Sequence, residues 1–343
     1  MRVGDEAGDD STAASKQVLR ISFARLMQRA AVLQRERSGR PVGVDGAARH
    51  SPLVPIRVPN GEDRPPLFLM HPVGGSVMAY FRLARSLHAD QPIYAIENQG
   101  AFHPSARSFG SIESMASAYL QLIDQCRSGP PYVLGGYSMG GMVAFEMARR
   151  LGTQGKHVAL VAIIDTPAAV APVRGGADSD SLTAQEVVTM GTIITGPLGV
   201  DLGLNLQELE AAIPNRRIDY LIAALRARRI LPPEIDSGLF QKLVATVKAN
   251  DLAQRRYRPQ CYAGEVSVFR AAERSPVLAE EAGPVYDEPA FGWQQFCTKP
   301  VRVTAVPGSH LRLMDEPYVQ HLGTSLQHAI DQTTHRTDEE SAW

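Results

Sequence analysis

A serine flanked by glycine two positions before and two positions after it, in Gly136-Tyr137-Ser138-Met139-Gly140, restricts this chain more than any other feature. The apolar run Tyr132-Val133-Leu134-Gly135 leads into it, and an amphipathic stretch from Gly141 to Leu151 leads out. A strand can pass into a helix over so few residues only through a sharp turn. Glycines, lacking Cβ atoms, let strand and helix approach closely while the serine takes a strained backbone. Strand, sharp turn and helix in that order predict a nucleophile elbow, with the Ser138 hydroxyl presented at the carboxyl end of its strand.

The same alternation runs through most of the chain. Leu67 to His71, Ile93 to Ile96, Tyr132 to Gly135, Val158 to Asp165, Val266 to Arg270 and Val301 to Val306 read as buried strands. Ser76 to Leu87, Ser111 to Cys126 and Met139 to Leu151 read as the helices between them. Strands and helices in turn predict an α/β layered fold with a mostly parallel central sheet flanked by helices, and a nucleophile elbow on such a sheet points to the α/β-hydrolase fold. From about residue 181 to 257 the alternation stops, and Ala184 to Ile194, Asn205 to Ala212, Arg217 to Ile230 and Ser237 to Arg256 follow one another as helices. An all-helical insertion between two strands reads as a lid, or more plainly as a stabilising subdomain.

Ahead of this domain, residues 1–14 read as a disordered leader. Leu19, Phe23, Leu26, Ala30 and Leu33 fall on one face of an amphipathic helix over 15–37, and 38–51 form a Gly- and Pro-containing linker. The α/β domain then spans 52–330, and 331–343 form a C-terminal tail. The polar side of the 15–37 helix carries Lys16, Arg20, Arg25, Arg29, Arg35 and Arg37. It either lies against solvent while the apolar face packs on the protein's own body, or it docks an acidic partner.

A formal net charge of -1 over 343 residues provides no whole-chain electrostatic case for nucleic acid. The three cysteines, Cys126, Cys261 and Cys297, are too few and too far apart for a paired disulfide framework or a metal-ligand spacing. No apolar run approaches the roughly 18 residues of a membrane helix, and the acidic first ten residues lead into no secretory h-region. The expectation is a cytoplasmic protein with no metal and no membrane span.

A serine hydroxyl is a weak nucleophile until an imidazole takes its proton and a third group orients that imidazole. In this fold the partners follow in the order serine, acid, histidine. Asp165 ends the strand Val158 to Ile164 just before Thr166-Pro167 breaks it and is the expected acid, with Asp178 and Asp180 as alternatives. His310 follows the strand Val301 to Val306 through the loop Pro307-Gly308-Ser309 and is the expected base. His50 precedes the domain, His157 begins a strand rather than ending one, and His321, His328 and His335 lie in or beyond the C-terminal helix. The oxyanion of a tetrahedral intermediate needs N–H donors already aimed at it. Met139, after the nucleophile, is one, and Val73, in the loop His71-Pro72-Val73-Gly74-Gly75, is the other. His71 reads as a residue that shapes this loop by hydrogen bonding.

These segments resemble the thioesterase domains that terminate nonribosomal peptide and polyketide assembly lines, over about Pro55 to Gln327. Leu67 to Gly75 with Tyr80 and Leu83, Tyr132 to Gly141 with Phe145-Glu146-Met147-Ala148, and Ile164-Asp165-Thr166-Pro167 are similar to three signatures of that family. Leu231-Pro232-Pro233, Asn250 through Tyr257-Arg258-Pro259, Val268 to Ala271, and Val306 to His310 with Leu313-Met314 and Glu316-Pro317 are similar to others. The resemblance implies catalytic roles for Ser138, Asp165 and His310 and oxyanion roles for Val73 and Met139. It implies no cofactor, the substrate being carried on the phosphopantetheine of an acyl or peptidyl carrier protein. The implied reaction releases an acyl, peptidyl or polyketide chain by hydrolysis or macrocyclisation.

The roughly fifty residues before the domain are too few for a whole carrier, so a free-standing enzyme and an excised terminal fragment both stay open. In a free-standing enzyme the basic helix gains weight as a docking element, and a proofreading type II thioesterase becomes an alternative. A carboxylesterase or lipase shares the triad, and a non-catalytic hydrolase-fold binding protein is the reading from outside enzymology. Arg216, Arg217, Arg226, Arg228 and Arg229 are candidates for attracting the carrier or for plain solvated surface.

Overall fold

The computed structural model describes residues 51–59, 64–98, 100, 109–126, 131–170, 182–195, 200–231 and 237–340. The leader, the 15–37 helix, nearly all of the linker, Asp178, Asp180 and Pro232-Pro233 lie outside the described residues.

The apolar runs form strands β1 (Leu53–Arg57), β2 (Leu67–Met70), β3 (Ile93–Ile96), β4 (Tyr132–Tyr137), β5 (Val158–Ile164), β6 (Val266–Ala271) and β7 (Arg302–Val306). They make one seven-stranded sheet in the order β1-β3-β2-β4-β5-β6-β7. Only β1 runs antiparallel, against β3. The helices, in chain order, are α1 (Tyr80–Arg85), α2 (Ile112–Cys126), α3 (Met139–Thr153), α4 (Ala184–Thr195), α5 (Leu206–Ala211), α6 (Arg217–Ala227), α7 (Ser237–Arg256), α8 (Pro276–Ala282) and α9 (Tyr318–Glu340).

Side chains alternate across a strand, so each central strand feeds two cores. Phe68 and Met70 of β2, with Val161 and Ile163 of β5, pack with Met115 and Tyr119 of α2 and Met142, Val143 and Phe145 of α3. Leu67 and Leu69, with Leu160, Ala162 and Ile164, pack on the other face with Leu83 of α1 and Val319, Leu322 and Leu326 of α9. Helices on both faces explain why β2 and β5 are buried at every position, and why they read as continuous apolar runs.

Two strands depart from the sequence pattern. β1 was not expected, because Pro55 and Arg57 interrupt its apolar character. At the sheet's edge a proline's missing N–H removes no interior ladder bond. β7 was expected to be buried, but it forms the opposite edge, and Val303 is exposed. α1 is also shorter than Ser76 to Leu87, and α9 continues through 331–340, where the sequence suggests a tail.

Two compact units are distinguished. One, His50–Arg174 with Ala245–Trp343, holds the whole sheet, and the other includes Gly175–Val244. Within the second, Val187, Leu209, Leu221 and Leu225 are buried, and the Asn205 side chain caps α5 by accepting the Gln207 N–H. Arg217 donates to the carbonyls of Leu209 and Leu182, at 2.8 and 3.0 Å, and Arg228 to that of Leu202 at 2.6 Å. Arg216 pairs with Asp219. At least three of the five insertion arginines thus have local partners. No described helix is long and apolar enough to cross a membrane.

Candidate active site

Ser138 stands between β4 and α3 with φ 55 and ψ -134, a backbone conformation that costs an L-residue of order 1–3 kcal/mol. Its surroundings hold it there. Its N–H donates to the Ile164 carbonyl at 2.9 Å, and its own carbonyl accepts from Thr166 Oγ1 at 2.6 Å. A Cβ on Gly140 would lie 2.2 Å from the Met70 carbonyl oxygen, and one on Gly136 would lie 2.2 Å from the backbone of Gly140. The first turn of α3 therefore rests directly on the end of β2. Gly140→Ala is expected to cost about 3 kcal/mol or more, since rigid backbone has to move, and chemical denaturation would show it as a lowered midpoint.

Asp165 closes β5 at φ 49. Its N–H donates to the Phe269 carbonyl at 2.8 Å. Both carboxylate oxygens have a partner: Oδ1 accepts the Ala271 N–H at 2.8 Å, and Oδ2 pairs with His310 Nδ1 at 2.8 Å. His310 follows β7 and is buried, as is Asp165. A carboxylate oxygen accepts, so the proton of this bond sits on His310 Nδ1, and Nε2 is the ring nitrogen left to act as a base. The Tyr137 ring stacks on His310 with centroids 4.9 Å apart, and its hydroxyl donates to the His310 carbonyl at 2.5 Å. The ion pair of Arg82 with Asp315 braces the same segment. Tyr80 ties the elbow to β2, donating its hydroxyl to the Met70 carbonyl and accepting the Tyr137 N–H at 3.0 Å. The support given by Tyr137 and Tyr80 is not foreseen from sequence, although both lie inside recognised motifs.

Val73 lies in the loop leaving β2, and Met139 opens α3. In the parallel pair of β2 and β4, Met70 is in register with Gly136, so the segments that carry Val73 and Met139 begin at adjacent strand ends. The Pro72 carbonyl, which shares a peptide with the Val73 N–H, accepts the Gly75 N–H at 2.8 Å and His71 Nδ1–H at 2.8 Å. Burial pushes the His71 imidazole down to about 4. The ring is then neutral, and with Nδ1–H spent on a carbonyl, Nε2 accepts from the Tyr119 hydroxyl at 2.7 Å. His71 thus shapes the loop.

A lowered imidazole pKa has a signed consequence. Between about 6.5 and 4 the unfolded chain takes up a proton that the folded chain refuses. Stability from His71 is therefore complete above about pH 6.5 and falls by about 1.4 kcal/mol per pH unit towards pH 4. Urea midpoints at pH 7, 5 and 4 should fall more steeply for the wild type than for His71→Asn.

A family model of the thioesterase domain matches residues 65–326. Chondramide synthase cmdD of Chondromyces crocatus is 32% identical over 300 residues, covering 84% of this chain and 7% of that protein. Nonribosomal peptide synthetase btyA of Aspergillus terreus is 30% identical over 290 residues, 84% of this chain and 30% of that one. The chain therefore spans less than a third of the length of either relative. Among solved structures, a four-domain nonribosomal peptide synthetase bound to AMP and glycine superposes with a TM-score of 0.68 at 26% identity, covering 81% of this chain and 20% of its own. The NocB thioesterase domain in covalent complex with a fluorophosphonate nocardicin G analogue shares the fold at a TM-score of 0.54 and 24% identity, over 78% of this chain and 94% of its own. The seven-stranded sheet, the elbow and these likenesses together make this an α/β-hydrolase fold, and the chain belongs to the thioesterase domain family.

Proposed function

We propose that this chain is a serine thioesterase that releases an acyl, peptidyl or polyketide chain from the phosphopantetheine arm of a carrier protein. The observation that carries the reading is the 2.8 Å pairing of His310 with Asp165, on the same sheet edge as a serine held at φ 55. In the first half-reaction His310 Nε2 takes the Ser138 hydroxyl proton and Oγ attacks the thioester carbonyl. The N–H groups of Val73 and Met139 receive the oxyanion. Collapse breaks the C–S bond, the proton passes from His310 to the departing thiolate, and an acyl-Ser138 ester remains. In the second half, His310 deprotonates water, or a hydroxyl or amine of the acyl chain itself. The same steps then run to a free acid or to a cyclic product.

Similarity to domains of peptide synthetases supports a carrier protein as the partner. Cys261 and Cys297 are free thiols, which suits work in a reducing cytoplasm. The reaction asks for no cofactor beyond the arm that brings the substrate.

The test is a comparison of kcat/KM for an acyl-pantetheine thioester with that for the matching oxygen ester. The thioester should be turned over faster, and faster again when borne by a carrier. Equal or better turnover of the oxygen ester would assign the site to an esterase instead.

A further inference from the structure

Two asparagines remote from each other in sequence meet behind the Val73 loop. Asn250, on α7, and Asn98, just after β3, are both fully buried, and buried amides need their hydrogen bonds filled. Asn250 Nδ2 donates to the Val73 carbonyl at 2.8 Å, and Asn98 Nδ2 donates to Asn250 Oδ1 at 2.9 Å. Asn98 Oδ1 accepts the Gly100 N–H at 2.9 Å, while the Asn98 N–H donates to the Gly75 carbonyl at 2.9 Å. The orientation of both amides follows from these contacts. The Val73 carbonyl can only accept, so Nδ2 of Asn250 faces it, and Oδ1 is left for the donor from Asn98.

The consequence concerns the peptide planes on either side of Val73. His71 and the Gly75 N–H hold the plane before it through the Pro72 carbonyl. Asn250 holds the plane after it. With both planes held, the direction of the Val73 N–H is set before any substrate arrives, which is what electrostatic stabilisation of an oxyanion requires.

We propose that Asn250, oriented by Asn98, is a positioning residue that aims the Val73 N–H at the oxyanion. The proposal rests on the reading of Ser138 as nucleophile and Val73 as donor. Asn250 itself touches no reacting atom and acts through Val73.

The experiment uses the full chain with Asn250→Leu, Asn250→Asp and Asn98→Ala. The first removes the donor at similar volume, the second turns an acceptor towards an acceptor, and the third leaves Asn250 without its orienting partner. Each variant is assayed for kcat and KM on an acyl-pantetheine thioester, and for inhibition by an alkyl boronic acid, whose tetrahedral adduct on Ser138 places an oxygen at the oxyanion position. The two Asn250 variants should lose about 10- to 100-fold in kcat with KM within about threefold. The boronate inhibition constant should rise in proportion. Asn98→Ala should change both in the same direction by about tenfold or less, and this variant keeps the test decisive if the Asn250 variants do not fold.

Wild-type kcat in the folded variants would overturn the proposal. So would a loss of kcat with unchanged boronate affinity, which is the pattern of a purely structural role. A wild-type chain that neither turns over the thioester nor binds the boronate would overturn the nucleophile reading itself.

Discussion

Ser138→Ala is expected to lower kcat by about 10⁴- to 10⁶-fold while the chain stays folded. The substitution deletes only Oγ. The backbone contacts that hold position 138, its N–H on the Ile164 carbonyl and its carbonyl under Thr166 Oγ1, do not involve that atom. Alanine meets the same cost at φ 55 as serine does, so the elbow keeps its shape and the melting temperature should move by only a few degrees. What rate survives would come from binding and from oxyanion donors acting on attack by water. Steady-state kinetics beside a thermal melt separate the two effects. A variant that retains half of wild-type turnover would remove Ser138 from the chemistry.

Asp165→Asn should cost about 10³- to 10⁴-fold in kcat, for a reason the hydrogen bonds make specific. Oδ1 of Asp165 accepts the Ala271 N–H at 2.8 Å. An asparagine keeps that bond only by turning its oxygen to Ala271, which aims its NH₂ at His310 Nδ1. A donor there forces the imidazole proton onto Nε2, the atom that has to receive the Ser138 proton. The variant should therefore bind substrate with little change in KM and fail in acylation. If Asp165→Asn instead kept wild-type kcat, the orienting carboxylate would have to be sought elsewhere, with Asp178 and Asp180 the first to try.

The parts of the fold legible in sequence are those whose environment is uniform. β2 and β5 lie between two helical layers, so every position is apolar and the run announces itself. β1 and β7 are edges, and there composition misleads in both directions. In Leu53-Val54-Pro55-Ile56-Arg57 a proline and a charged residue argue against a strand, and Val303 looks too apolar to be exposed. Short α8, capped by Ser275 on the Leu278 N–H, is a local event with too few residues to show a period.

The site divides in the same way. Ser138 could be picked out from its glycine-flanked turn, and Asp165 and His310 because each follows the carboxyl end of a strand, where catalytic residues of open α/β sheets gather. The supporting contacts follow no such rule. Tyr137 reaches His310 across 173 residues, His71 reaches Tyr119 across 48, and Asn250 reaches Val73 across 177. Each of these pairings is made by tertiary packing, and neither partner carries a local pattern that names the other. His71 is a partial exception, because a triad needs only one histidine and the sequence therefore already suggested that His71 shapes its loop by hydrogen bonding, while Tyr119 as its second partner did not show.

The central claim is that Ser138 carries the acyl group between the two half-reactions. Mixing the chain with a slowly hydrolysed acyl-pantetheine thioester, and measuring intact mass followed by peptide mapping, tests it directly. The account predicts a gain equal to one acyl group, located on the peptide containing Ser138 and absent from Ser138→Ala. Turnover of the thioester with no adduct at any time, or with the adduct on another residue, would contradict it.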